Sequence, residues 1–161
     1  MKTRVLLLIA FIIFILHSTL FQFLRIYGIM PNISLIFIVA FSALYPEKEG
    51  PILAVFLGVF QDVFLSITLG INLLLYVPIA YAIHAMEDSL FKDNFLTPVV
   101  FIGASTLFYY LAYFGFMYFL GSNIVFEPFM IAGAKEMLYN IVVGIFVYSK
   151  LLNREYGFSL R

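Results

Sequence analysis

Apolar runs fill this chain almost end to end, and they leave little choice of fold. Residues 5–27, 31–45, 51–69, 71–86, 96–120 and 128–149 are each mostly apolar, and short polar knots separate them. A helix that crosses a membrane needs about 20 such residues, with roughly 17–25 usual. A soluble fold would have to cover these runs with nine basic and nine acidic side chains among 161 residues. The composition is 64% hydrophobic and 11% charged, against roughly 45–50% and about 25% in ordinary globular domains. A soluble enzyme, a nucleic-acid-binding domain and a disordered tail are therefore excluded. The absence of cysteine removes a disulfide framework, a thiolate metal site and a catalytic thiol.

The runs lack the apolar–polar alternation of a membrane β-strand, so they read as helices. The expected fold is all-α and integral to the membrane: six transmembrane helices in one bundle, forming a single domain over residues 1–161. Lys2 and Arg4 ahead of Val5 give the first run the shape of a signal peptide. No small-x-small cleavage site follows and the apolar character continues through Phe23, so an uncleaved first helix is expected. Pro31, Pro51 and Pro128 stand at or near helix starts, where the missing N–H is no loss. Asn32 and Asn72 each read as an N-cap, and Pro78 is expected to kink the fourth helix. With six spans and both termini in the cytoplasm, Lys2, Arg4, Lys48, Lys92, Lys150, Arg154 and Arg161 all fall inside. Arg25 sits just within the outer end of the first helix. The expected location is a cytoplasmic membrane, crossed several times.

Ionisable residues inside a bilayer are costly, roughly 2.5–3.5 kcal/mol on insertion scales, and normally face protein and a partner. Asp62 with its neighbour Gln61 in the third run, and Lys135 and Glu136 in the sixth, fit this description. Asp62 lies seven residues before Leu69, and Lys135 seven after Pro128. Both therefore sit roughly 10 Å below the outer surface at about 1.5 Å per residue. The matched depth predicts that Asp62 and Lys135 approach each other, with Glu136 and Arg25 as further members. Glu136, Asn140 and Gly144 share one helical face. Ala54, Gly58 and Asp62 share another, in a small-xxx-small pattern that permits close packing. The two stripes suit each other as a helix pair. Two readings follow: structural glue that fixes helix register, or a ligand or proton site.

Weaker candidates have ordinary explanations beside them. His17 shares its helical face with no second ligand, which favours an interhelical hydrogen bond over a metal. His84, Glu87 and Asp88 have ligand-like spacing but fall where a helix meets the cytoplasm. The rings between Phe108 and Phe119 point all round their helix, so lipid contact and an aromatic belt account for them. No nucleophile elbow, HExxH, phosphate-cradling glycine loop or carboxylate pair is present. No residue set nominates a reaction, a metal or a cofactor.

Met30-Pro31-Asn32 opening an apolar helix, then Gly50, Gly58, Gln61-Asp62, Leu69-Gly70 and Asn72, resemble the pattern of the rod shape-determining protein MreD family. Residues 31–81 carry most of the resemblance, and the overall size, the six-run layout and Asn140 in the last helix agree with it. Where the family often has Gly or Pro after its Gln-Asp pair, this chain reads Val63-Phe64-Leu65-Ser66-Ile67-Thr68. The resemblance implies an inner-membrane subunit of the bacterial elongation machinery. Its implied partners are the bitopic MreC, the actin-like MreB filament, the glycan polymerase RodA and its penicillin-binding transpeptidase. It also implies the six-helix fold of the substrate-binding subunits of energy-coupling-factor transporters. Three functions are weighed on that basis: a non-enzymatic scaffold for wall synthesis, a small-molecule binding or transport subunit with a pocket around Asp62, Asn72, Glu136 and Asn140, and a small lipid-modifying enzyme. The first helix has only Ala10 where the transport subunits resembled here carry an Ala-x-x-x-Ala face, which favours the scaffold.

Overall fold

The shortest helix is the one around which the others are arranged. A computed structural model describes residues 3–19, 25, 28–45, 47–66, 68–86 and 94–157. Among these residues run six helices: α1 (Thr3–Ser18), α2 (Ile33–Leu44), α3 (Glu49–Phe64), α4 (Ile71–His84), α5 (Leu96–Phe119) and α6 (Phe126–Tyr156). Helix α2 has 12 residues, all of them buried except the half-buried Phe37, and it touches each of the other five helices. Nothing about its sequence gives it an outer face, because Ile, Phe, Val and Ala surround its axis and its two polar residues, Ser34 and Ser42, are small and buried. A helix that is hydrophobic all round belongs in a core.

Local signals explain where α2 and α6 begin and end. The Asn32 side chain accepts a hydrogen bond from the Leu35 N–H at 3.0 Å, so the expected N-cap forms. At the other end of α2, the Tyr156 hydroxyl donates to the Leu44 carbonyl at 2.5 Å. That bond carries α6 one or two turns past the expected end at residue 149. Helix α4 runs on through Pro78. The expected continuation of the first helix beyond Ser18 falls largely outside the described residues, as do Glu87 and Asp88 beside His84. Arg25 is exposed and outside any helix, not at the end of α1.

Among the described residues only α5 and α6, with 24 and 31 residues, are both long and apolar enough to cross a membrane unaided. A core helix of a soluble protein would be mostly buried, but only 17% of the most apolar window of each of these is buried. Apolar side chains instead point outward: Ile12 on α1, Leu107 on α5, and Leu138, Val142 and Phe146 on α6 are all exposed. A smaller set of polar side chains, Gln61, Asp62, Asn72 and Asn140 among them, is buried beside the apolar core. An apolar exterior over buried polar groups suits a hydrocarbon surround, where no water competes for the interior hydrogen bonds. At about 1.5 Å per residue α2 is only about 18 Å long, shorter than the roughly 30 Å hydrocarbon layer. It therefore leaves space in the bundle beyond its own N-terminus, and the polar residues line that space.

Candidate functional site

Helix α4 begins without a side-chain cap of its own. Gly70 stands at its N-cap with φ +92° and offers no acceptor, so the first N–H groups of the helix need partners from elsewhere. Asp62 supplies them from the end of α3. Its Oδ1 accepts from the Asn72 N–H at 3.0 Å and from Asn72 Nδ2 at 2.9 Å, and its Oδ2 accepts from the Leu73 N–H at 2.9 Å. A carboxylate at a helix N-terminus also meets the positive end of the helix dipole. The expected cap at Asn72 is thus replaced: Asn72 is the second residue of α4, and the cap is Asp62.

Asn72 carries the network onward. Its Nδ2 also donates to Ser66 Oγ at 2.6 Å, and its Oδ1 accepts from the Tyr109 hydroxyl of α5 at 2.7 Å. One turn further along α4, Tyr76 is fully buried. Its hydroxyl donates to Gln61 Oε1 at 2.8 Å and accepts from Asn32 Nδ2 at 3.1 Å. Gln61 Nε2 donates to Ser34 Oγ at 2.7 Å. Asn140 of α6, fully buried, accepts from the Asn32 N–H at 2.7 Å and donates to Thr106 Oγ1 of α5 at 3.1 Å. The half-buried Glu136 completes the chain, with Tyr110 donating to its Oε2 at 2.5 Å and Asn140 Nδ2 standing 3.5 Å from its Oε1. Five of the six helices contribute to this polar seam, which consists of two hydrogen-bonded clusters. One surrounds Asp62 and Asn72, the other runs from Gln61 and Tyr76 through Asn32 and Asn140 to Glu136, and the stacked rings of Tyr76 and Tyr109 bring them into contact.

The predicted approach of Asp62 to Lys135 does not occur. Lys135 is exposed on α6 while Asp62 is buried on the caps of α4. Equal depth in the bundle does not place two residues on facing sides, and α2 lies between α3 and α6. The two small-residue stripes are separated for the same reason. Ala54 and Gly58 are buried on α3, and a methyl group at Gly58 would lie 2.7 Å from the Leu73 Cα of α4. Gly144 on α6 faces the Ile102 side chain of α5. Each stripe therefore meets its own hairpin neighbour instead of the other stripe. Gln61, Asp62, Asn72, Glu136 and Asn140 are brought into the seam; Lys135 and Arg25 are not.

Sequence reasoning missed the tyrosines. Tyr109 and Tyr110 were expected on a lipid-facing belt, yet their hydroxyls point inward to Asn72 and Glu136. Tyr109 also stacks on Tyr76 and on Tyr113, with ring centroids 5.6 and 5.9 Å apart. Phe108, Phe116, Tyr118 and Phe119 are exposed, where a belt would need them. A signal did exist: Asn72 and Tyr76 are four residues apart and so share a face.

Beyond the N-terminus of α2 the bundle holds an open cavity of about 720 Å³, lined among others by Asn32, Gln61, Asn72 and Glu136. His17 and Ser18 at the end of α1 also line it, so it opens on the side of the bundle opposite the start of that helix. Its walls include Tyr109, Tyr110 and Tyr113 from α5 and Phe129 from α6.

An all-helical bundle with an apolar exterior, a polar interior seam and two long apolar helices defines a helical membrane protein. Comparison with protein families goes further: the profile of the rod shape-determining protein MreD matches residues 1–153. The chain belongs to the MreD family. No curated protein and no solved structure is matched by the chain. Membership makes it a membrane protein of rod-shape determination, a family of shape-determining proteins and not a known family of enzymes.

Proposed function

We propose that this protein is a non-enzymatic scaffold and regulatory subunit of the bacterial rod complex, embedded in the cytoplasmic membrane. In this reading all six helices cross the bilayer, with both termini in the cytoplasm, in the architecture of energy-coupling-factor substrate-binding subunits. Its partners are MreC, MreB, the glycan polymerase RodA and its penicillin-binding transpeptidase. Docking takes place through the apolar outer faces, and the polar seam holds the bundle in the shape those faces need.

The observation that carries the proposal, beside family membership, is the internal commitment of the seam. Asp62, Asn72, Gln61, Asn32 and Asn140 bond to one another, to hydroxyls of Ser34, Ser66, Tyr76, Thr106 and Tyr109, or to N–H groups at helix starts. Such a network rigidifies a fold and specifies one packing. The exterior is available for partners, because large apolar side chains on α1, α5 and α6 stand exposed. The test is affinity purification of the tagged full-length protein from membranes. MreC recovered together with the wall polymerase supports the scaffold. Recovery of neither, with an ATPase module or a bound vitamin in their place, would overturn it.

A further inference from the structure

The cavity beyond α2 has a chemistry that the scaffold reading does not use. Among the described residues its lining includes one carboxylate, Glu136, and no lysine or arginine. Tyr110 and Asn140 both approach Glu136 as donors, the arrangement that suits an ionised carboxylate, which only accepts. Around it stand aromatic rings in mutual contact. Tyr110 lies 5.0 Å and Tyr113 5.9 Å from Phe129, centroid to centroid, and Tyr109 stacks on Tyr113. Across the cavity His17 is only 7% exposed, and its Nδ1 finds no hydrogen-bond partner among the described residues. A buried ring nitrogen without a partner is costly.

We propose that this cavity is a binding site for a protonated amine, either a small organic ammonium ion or the ammonium of a lysine side chain carried by a peptide. Ring faces attract a cation, and most strongly where water is excluded. Glu136 supplies the opposite charge. Anions are disfavoured at the same site, since the lining holds a carboxylate and no compensating cation. A volume of about 720 Å³ lies within the usual range for small-molecule pockets, roughly 300–1,000 Å³. The site does not depend on the docking reading, because it concerns the interior and not the outer faces.

The test uses the full-length protein in lipid nanodiscs and follows its tyrosine fluorescence, since the chain has 11 tyrosines and no tryptophan. Phenethylammonium, the neutral phenethyl alcohol and the anionic phenylacetate are titrated in parallel. The ammonium is expected to bind at least ten-fold more tightly than the alcohol, and phenylacetate not to bind. Glu136→Gln should abolish the preference for the ammonium over the alcohol. Should that variant misfold, Tyr113→Leu provides the second arm and should weaken ammonium binding several-fold in a folded protein. Acetyl-Gly-Lys-Gly-amide is then run as a competitor. Displacement at lower concentration than phenethylammonium identifies a peptide side chain as the source, and the reverse order a free amine. Equal binding of all three probes, no binding of any, or an ammonium preference unchanged in both variants would overturn the proposal.

Discussion

Three donors converge on the two oxygens of Asp62, and two of them are backbone N–H groups at the start of α4. Removing the carboxylate leaves those groups without their acceptor, at a cost of about 2–4 kcal/mol. Asp62→Ala should therefore lower stability in detergent by that amount, read from denaturant or thermal unfolding. Asp62→Ala combined with Asn72→Ala should cost clearly less than the sum of the two, because the residues share their bonds. Asp62→Ala combined with Lys135→Ala should be additive. Substantial coupling between Asp62 and Lys135 would contradict the arrangement described above. These residues also mark where sequence reasoning stops. Gln61, Asp62, Asn72, Glu136 and Asn140 were nominated because polar groups in an apolar run are costly, and that argument needs no coordinates. The choice of partner does need them. Lys135 and Glu136 are adjacent on a helix and so point about 100° apart; only one can face inward, and depth alone does not say which.

At the scale of the helices, two glycine contacts differ in what they would meet. A Cβ at Gly58 would strike the backbone of Leu73, with Cα at 2.7 Å and N at 3.0 Å. One at Gly144 would meet first the Cδ1 of Ile102, the far end of a flexible side chain. Gly58→Ala should therefore force α3 and α4 apart and cost about 1–3 kcal/mol, as overpacking does. Gly144→Ala should cost less than half as much, because Ile102 can rotate away. Unfolding of both variants in the same detergent checks the order; equal or reversed effects would mean that the α3–α4 contact is looser than described. Helix α2 shows how much of an element was visible beforehand. Its start was legible from Asn32, whose cap is a bond between neighbours in sequence. Its place at the centre was not, since a mostly apolar helix can face lipid or protein equally well and only the neighbours decide. The tyrosines of α5 failed for the related reason that a helix with rings on every side carries no mark of its inner face.

For the whole molecule the central claim is a bundle that crosses the membrane an even number of times and opens its cavity to the outer side. The chain contains no cysteine, so single introduced cysteines report sidedness without background. Lys48 precedes α3 and Asn153 lies near the end of α6, whereas Ser122 follows α5 and lines the cavity. Each of Lys48→Cys, Ser122→Cys and Asn153→Cys is expressed separately and exposed to a membrane-impermeant maleimide, in intact cells and after permeabilisation. The account predicts that Ser122→Cys is labelled in intact cells, and that Lys48→Cys and Asn153→Cys are labelled only once the membrane is opened. Labelling of Asn153→Cys in intact cells, or protection of Ser122→Cys until permeabilisation, would contradict it.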